Sequence, residues 1–179
     1  MSTRTKLTYD DYAALPDDGK RYEVLAGELH MTPSPGFSHQ RAVGQLFRQL
    51  AQFFEENGLG MAFVAPFDVI AGRHDVFVPD ITVVCDPSQI SPRGIEGAPT
   101  LVVEVLSPSN RGYDRGLKAR RYLEMNVQHY WVVDPDEQHL VCQRAEHGSW
   151  VVVAEGHGHE TVRDPSWPDL TIDLARLWK

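Results

Sequence analysis

Two apolar segments of this 179-residue chain each carry one acidic residue in their interior. Glu104 interrupts the segment LVVEVL at 101–106, and Asp80 interrupts the segment VFVPDITVV at 76–84. Both segments are rich in β-branched residues, which predicts buried strands. A carboxylate inside such a strand is costly unless it is paired, protonated or bound to a metal. Two strands with one buried acid each therefore indicate a site for a hard divalent cation such as Mg²⁺, which prefers carboxylate oxygens and water.

A lysine follows the Glu104 strand on a helix predicted from about 110 to 125. The ammonium of Lys118 could activate a water or stabilise developing negative charge. The face of this helix toward the sheet is predicted to carry its small and apolar residues, Gly112, Gly116, Ala119 and Leu123. The opposite face is predicted to carry its polar residues, Arg111, Asp114, Arg115, Lys118, Arg121 and Tyr122. A simpler interpretation is that Asp80 and Glu104 pair with Arg21 or Lys118 and only hold the strands in register.

The elements that must position these groups alternate between short strands and helices. In the first third of the chain the sequence predicts a helix capped by Thr8, a hairpin over 21–31 that turns at Gly27, and a long amphipathic helix that is capped by Ser38 and ends at Asn57–Gly58. Strands over 62–71 and 76–84 and a loop over 87–99 are predicted next. A strand at 130–133 leads into a C-terminal antiparallel meander, and a last helical turn contains Leu174 and Leu177. This order predicts an α+β protein folded as one domain over residues 1–179.

Composition and charge narrow the function classes. The chain is 42% hydrophobic and 23% charged, which is ordinary for a globular protein. Its net charge of −8 disfavours non-specific electrostatic binding to nucleic acid, so binding to DNA would require a local basic patch. No apolar run has the length of a membrane span, and the first residues are too polar for a signal peptide. Cys85 and Cys142 are predicted to be buried free thiols. The protein is expected to be cytoplasmic, where the environment is reducing, and not to bind a membrane.

Several short motifs recur in a specific order along nearly the whole chain. They are RYEVLAGEL (21–29), SPGFSHQ (34–40), VPD (78–80), LVVEVLSPS (101–109), YDRGLKARRY (113–122) and HYWVVDP (129–135). In this order and spacing, the chain resembles the Uma2 family, also called DUF820, which is restriction-endonuclease-like and belongs to the PD-(D/E)XK nuclease superfamily. The resemblance implies a central mixed β-sheet flanked by helices.

The resemblance also implies a role for each acid and for the lysine. Asp80 matches the acid of the PD motif, and Glu104 matches the acid of the (D/E)XK motif. Leu106 stands where the superfamily pattern has lysine, and Lys118 on the following helix matches the relocated lysine of Uma2-like proteins. Glu23 matches an acid that the superfamily often contributes from its N-terminal region.

The matched motif residues lead us to expect a metal site with supporting residues around it. Asp80, Glu104 and the backbone carbonyl of Val105 are expected to bind Mg²⁺, with Mn²⁺ as an alternative. Glu23 would bind the water network or a second ion, or it is only a charge at a strand edge. His39 and Gln128 are weaker candidates for supporting or phosphate contacts. The helix arginines are expected to meet the phosphate backbone, or to form an ordinary solvated face: Arg111, Arg115, Arg120 and Arg121.

Three functions are compatible with these residues. The favoured one is a Mg²⁺-dependent endonuclease that hydrolyses DNA, acting as a homodimer. The second is a catalytically inert nuclease-fold module that binds nucleic acid or a protein partner, which the acidic charge and the missing lysine after Glu104 favour. The third is a metal-dependent hydrolase with another substrate. The presence of Asp80, Glu104 and Lys118 favours the first over the second, because an inert module has no physical reason to keep charged groups in an apolar sheet.

Overall fold

The computed structural model describes residues 5–32, 34–107 and 114–179, without the side chains of Asp114 and Arg115. The α-helices are α1 (Tyr9–Ala13), α2 (Phe37–Glu56), α3 (Ala119–Glu124) and α4 (Ala175–Trp178). A 3₁₀ turn spans Pro87–Gln89, and a π-helical turn over Asp114–Lys118 leads directly into α3. No helix in these ranges is both long and apolar enough to cross a membrane.

The strands of the described ranges form two larger sheets and one small one. They are β1 (Arg21–Leu25), β2 (Glu28–Thr32), β3 (Met61–Val64), β4 (Val69–Gly72), β5 (Asp75–Phe77), β6 (Ile81–Val84), β7 (Ile90–Ser91), β8 (Gly94–Glu96), β9 (Leu101–Val105), β10 (His129–Asp134), β11 (His139–Glu146), β12 (Ser149–His157), β13 (Thr161–Val162) and β14 (Ile172–Asp173). The first sheet has the order β2-β1-β5-β4-β8-β7, the second has the order β12-β11-β10-β9-β6-β3, and β13 pairs with β14.

The second sheet is mixed because β9 and β10 run parallel, while its other neighbours are antiparallel. A parallel pair cannot be joined by a tight turn and needs a crossover connection. Here the crossover contains the π-helical turn and α3. The topology therefore brings the helix that carries Lys118 back over the sheet that carries Glu104.

Side chains on the two faces of the second sheet enter different cores. One face packs on the buried stripe of α2, with Val103 and Trp131 against Leu46. The other face packs against the first sheet and α3 through residues such as Val102 and Tyr130. Because successive side chains of a strand point to opposite faces, Glu104 shares the face of Val102 and lies between the two sheets.

The structure confirms the α+β class and much of the element order. The hairpin β1–β2 turns at Ala26 and Gly27, whose φ values of 54° and 85° suit the tight turns of hairpins. Thr8 caps α1 in a capping box with Asp11. The antiparallel meander β10–β11–β12 and the last helical turn α4 are also present.

Other predictions are wrong in instructive ways. The predicted strands over 62–71 and 76–84 each divide into two strands that belong to different sheets. Asp80 therefore lies in the bend between β5 and β6, beside Pro79, rather than inside a continuous strand. Proline has no N–H to offer a sheet, which favours an interruption at this point.

Three local predictions also fail. The long helix α2 begins at Phe37, and its N-cap is Gly36 without a side-chain hydrogen bond, so Ser38 is not the cap. Cys142 is a buried free thiol as predicted, but the free thiol of Cys85 is exposed. The predicted loop over 87–99 contains the short strands β7 and β8.

Candidate active site

A polar cleft opens between the two sheets, at the ends of β1, β2 and β9 and beside the bend before β6. Its empty volume is about 420 Å³, counted out to open solvent. Its lining residues are Arg21, Thr32, Pro35, His39, Val78, Asp80, Glu104, Ser107 and Lys118. The cleft thus brings together four of the residues that the sequence singled out, Asp80, Glu104, Lys118 and His39.

The strand pairing of β6 with β9 places the two acids side by side. Ile81 is in register with Val103, so Asp80 comes next to the following residues of β9. The backbone N–H of Val105 donates to Asp80 Oδ2 at 2.8 Å. Asp80 is 9% exposed and Glu104 is 2% exposed, so both carboxylates are withdrawn from bulk water.

Lys118 joins the acids of the two sheets. Its Nζ lies 2.9 Å from Glu104 Oε1 and 2.9 Å from Glu23 Oε1. Glu23 is fully buried, so it is not the strand-edge charge that was the alternative interpretation. The backbone N–H of Val78 also donates to Glu23 Oε1, at 2.8 Å, whereas Glu23 Oε2 is buried without a hydrogen-bond partner in the described part of the chain.

A tyrosine that the sequence did not single out completes the environment of Glu104. The hydroxyl of Tyr122 donates to Glu104 Oε1 at 2.5 Å. Burial, followed by the negative charges of Glu104 and Glu23, raises the pKa of Tyr122 well above its usual value. Tyr122 is therefore a permanent hydrogen-bond donor at neutral pH. Its position four residues after Lys118 was the available signal, because residues at this spacing share a helix face.

The predicted faces of the helix after β9 are right for Ala119 and wrong for Gly116, Lys118 and Tyr122. Lys118, Ala119 and Tyr122 are buried, whereas Gly116 and Leu117, the latter 38% exposed, face outward. The prediction assumed a regular α-helix, but Asp114–Lys118 is a π-helical turn with i→i+5 hydrogen bonding. The wider turn changes the angular position of the residues that follow it, and in this way Lys118 enters the sheet side.

His39 reaches the cleft from the first turns of α2. Its Nε2 lies 3.2 Å from Asp80 Oδ2, and the residue is 7% exposed. Its Nδ1 is buried and has no hydrogen-bond partner within the described ranges. His39 thus orients the carboxylate of Asp80 and leaves a second ring nitrogen within the site.

Some of the remaining candidate residues are described but do not line the cleft, and the others lie outside the described residues. Arg121 is held elsewhere, with Nη2 2.5 Å from Asp75 Oδ2 and a further ion pair with Glu124. Gln128 is exposed, and its backbone carbonyl accepts from the N–H of Ala145. Arg111 and the side chain of Arg115 lie outside the described residues. The basic patch expected along this helix is therefore supported only by Arg120, which is exposed.

Buried charges gather at the cleft. Among the residues that the structure describes, they are the three carboxylates of Glu23, Asp80 and Glu104 and the ammonium of Lys118. Buried carboxylates are stabilised by nearby positive charge, so this arrangement could accept a bound cation.

The donors suit one kind of cation better than others. Within residues 5–32, 34–107 and 114–179, no group of three or more His, Cys, Asp or Glu side chains is arranged to hold a metal ion. Asp80 and Glu104 supply two carboxylates, which is the donor set of an ion that keeps most of its water, as Mg²⁺ does. The described residues could therefore hold a hydrated hard cation.

Comparisons with known proteins agree with this fold. The sequence model of the Uma2 family, described as "Putative restriction endonuclease", matches residues 9–175. An uncharacterized protein of Synechocystis sp. is 36% identical over 86 residues, which cover 47% of this chain and 45% of that protein, so the match spans about half of its length. The crystal structure of a protein from Anabaena variabilis, described as a "putative nuclease belonging to DUF820", has a TM-score of 0.77 at 23% identity and covers 96% of this chain and 97% of that one. The structural likeness concerns the fold, and the family match over nearly the full length shows that the chain belongs to the Uma2 family.

Proposed function

We propose that this protein is a Mg²⁺-dependent endonuclease that hydrolyses DNA phosphodiester bonds in the cleft between its two sheets. The observation that carries the proposal is the buried cluster of Glu23, Asp80, Glu104 and Lys118 at a cleft that opens to solvent. A cleft into which a few charged and polar groups converge is typical of an active site. The family description as a restriction endonuclease supports the choice of nucleic acid as substrate.

In this proposal Asp80, Glu104 and the carbonyl oxygen of Val105 hold Mg²⁺, with Mn²⁺ as an alternative. The bound ion would lower the pKa of a coordinated water and offset the charge of the scissile phosphate. Val105 N–H and His39 fix the orientation of Asp80 through Oδ2, and Tyr122 fixes Glu104 through Oε1.

Lys118 supplies positive charge at the reacting phosphate. Its two carboxylate neighbours stabilise the ammonium form, so Lys118 is better suited to stabilising a developing negative charge than to accepting a proton. Glu23 has a positioning role, because it holds Nζ from the side of the first sheet and does not line the cleft itself.

A plasmid-cleavage assay tests the proposal. Supercoiled plasmid, linear duplex and single-stranded DNA are incubated with wild type and with Glu104→Gln and Lys118→Met, in Mg²⁺, Mn²⁺ or chelator. We expect metal-dependent cleavage by wild type and a loss of at least about 100-fold in each variant, because each removes one electrostatic contribution to the transition state.

Matched controls separate the site from contamination, and thermal melting of each variant verifies that it is folded at the assay temperature. Glu96→Gln changes an exposed glutamate of β8, and Lys179→Met changes an exposed lysine at the end of the chain, so both should cleave as wild type does. Cleavage that persists in Glu104→Gln and Lys118→Met would contradict the proposal.

The inert module stays the alternative, because one observation favours it. Lys118 already neutralises part of the charge of Glu104 and Glu23 through direct ion pairs, as in a purely structural network. Calorimetry with Mn²⁺ distinguishes the two functions. Binding that is lost in Glu104→Gln supports the metal site, and no binding by folded wild type supports the inert module.

The proposal includes a cytoplasmic homodimer, since two symmetric sites would serve the two strands of a duplex. Light scattering coupled to gel filtration, with and without duplex DNA, measures the oligomeric state.

A further inference from the structure

A second groove adjoins the cleft and shares two lining residues with it, Arg21 and Val78. The groove lies between α1, the start of β1 and the segment before β4. Its other lining residues include Tyr12, Lys20, Tyr22, Pro66 and Asp68, and its empty volume is about 660 Å³. This volume is counted out to open solvent, so the groove can be entered from the surface.

Arg21 stands at the junction of the cleft and the groove. Its guanidinium makes no hydrogen bond or ion pair with any residue of the described ranges, although the side chain is half-buried. The nearby acids are paired differently, Glu104 with Lys118 and Asp80 with His39. A half-buried guanidinium favours an anion, and its planar fork matches the oxygens of a phosphate.

Two tyrosines line the groove, and hydrogen bonds fix both of them. Tyr12 donates its hydroxyl to Asp68 Oδ1 at 3.0 Å, and Tyr22 donates its hydroxyl to Asp18 Oδ2 at 2.9 Å. Aromatic rings that are held in place stack on nucleobases at a low entropic cost. Asp68 Oδ2 has no partner within the described ranges, so it can accept from an exocyclic amino group such as N4 of cytosine.

We infer that this groove binds one unpaired nucleotide of the DNA strand, with its base among the tyrosines and its phosphate on Arg21. The inference rests on the proposed function, because it makes the groove an extension of the cleft that holds the scissile phosphate. A base that is stacked and paired in a duplex cannot enter such a groove, so the substrate class is a single strand or a duplex with an unpaired nucleotide.

A binding experiment with the full chain tests the base subsite. Fluorescence anisotropy measures the affinity of a short fluorescein-labelled oligodeoxycytidine and of a matching strand made of abasic units, in chelator so that no cleavage occurs. We expect wild type to prefer the strand with bases by about tenfold or more, from the strength of base–aromatic stacking. Tyr22→Ala should reduce this preference several-fold, and Tyr22→Phe should keep it because the ring remains.

Arg21 tests the phosphate contact independently. Arg21→Ala should weaken both strands by the same factor, about tenfold, because the phosphates are common to them. Arg21→Lys should recover part of this loss through its charge. Thermal melting of each variant verifies that it is folded.

The results separate this inference from the proposed function. Equal affinity of wild type for both strands, or an unchanged preference in folded Tyr22→Ala, overturns the inference, even if wild type cleaves DNA with Mg²⁺. A preference that depends on Tyr22 supports the groove even if no cleavage is found. A wild type that binds neither strand overturns the inference as well.

Discussion

Two buried acids, Glu104 and Asp164, lie on opposite faces of the second sheet and are compensated in different ways. Asp164 is 1% exposed and accepts from neutral donors, Trp131 Nε1 at 3.2 Å and the backbone N–H of Ser166 at 2.8 Å. Glu104 belongs to the cluster of buried charges at the cleft, with Glu23, Asp80 and Lys118.

The hydrogen-bond partners of Asp164 are those of an acid with a structural role. Asp164 lies in the closed apolar core on the α2 side, where its neutral N–H partners meet its hydrogen-bonding needs. Glu104 opens onto a cleft, and its described partners include the charged ammonium of Lys118 as well as the neutral hydroxyl of Tyr122. Burial is thus common to both acids, and it is the charged neighbours of Glu104 and its access to the cleft that support the proposal of a functional role.

Removal of the Lys118 ammonium should have the largest effect on the comparison between the two acids. Lys118→Met takes away the cation that contacts both Glu23 and Glu104, and we expect the free energy of unfolding to fall by about 3–5 kcal/mol in the absence of metal. Urea denaturation measures the change. Adding Glu23→Gln to the same chain should restore part of the loss. A loss below about 1 kcal/mol in Lys118→Met would show that the carboxylates are not charged together.

A divalent cation should stabilise the cleft and leave the Asp164 region unaffected. At a Mn²⁺ concentration one hundred times its Kd, the expected gain in wild type is about 2.7 kcal/mol. Thermal denaturation with Mn²⁺ and with chelator measures the gain. The gain should vanish in Glu104→Gln and persist in Asp164→Asn, and the opposite pattern would place the cation outside the cleft.

Neutralising the structural acid should cost stability without changing activity. Asp164→Asn keeps one acceptor oxygen and loses the second, so either Trp131 or Ser166 loses its partner. We expect a destabilisation of about 1–3 kcal/mol, which is the cost of an unsatisfied buried group. DNA cleavage measured well below the melting temperature should match wild type. Loss of cleavage in the folded variant would remove the distinction between the two acids.

The smallest effect concerns pH and His129, which neighbours Asp164. Burial, together with the charge of Arg144, lowers the pKa of His129, and the charge of Asp164 only partly opposes this. The folded state therefore disfavours protonation, so the protein should lose stability as the pH falls below the ordinary histidine pKa of about 6.5.

His129→Phe should flatten this acid-induced loss while it keeps the ring contact with Trp167. Urea denaturation of both proteins at several pH values above and below that pKa provides the measurement. An equal slope in wild type and variant would assign the acid sensitivity to other groups.

The sequence predicted which charged residues meet better than it predicted the local structure around them. Asp80 and Glu104 were selected because charged residues are rare in apolar segments, Lys118 was selected because it follows the Glu104 strand and matches the family pattern, and the structure places all three in one cleft. Their roles as metal ligands and catalytic groups stay predictions. The continuous strand through Asp80 was wrong because an apolar run cannot reveal that its two halves join different sheets.

The part that could not be predicted depends on tertiary contacts. Tyr122 was assigned to the solvent side, although it lies three residues after Ala119 and therefore shares its face of the helix. Its contact with Glu104 joins the helix to β9 and is a tertiary feature. Arg21 was considered only as a partner for the acids, and its position between two grooves follows from the docking of α1 and β1. Helix arginines such as Arg121 were expected to face phosphate, but an ion pair with Asp75 on β5 is a long-range feature that local sequence does not show.

The ion pair of Glu23 with Lys118 has a consequence for the order of folding. Glu23 belongs to the first strand of the chain and Lys118 to the crossover after β9, so a growing chain exposes the acid to the cell long before the lysine is synthesised. Neither sheet alone contains the whole cluster, and the cleft forms only when the two sheets dock. Any activity of the cleft is thus a property of the completed protein: nascent chains lack it, and a chain whose sheets have separated loses it even while each sheet persists.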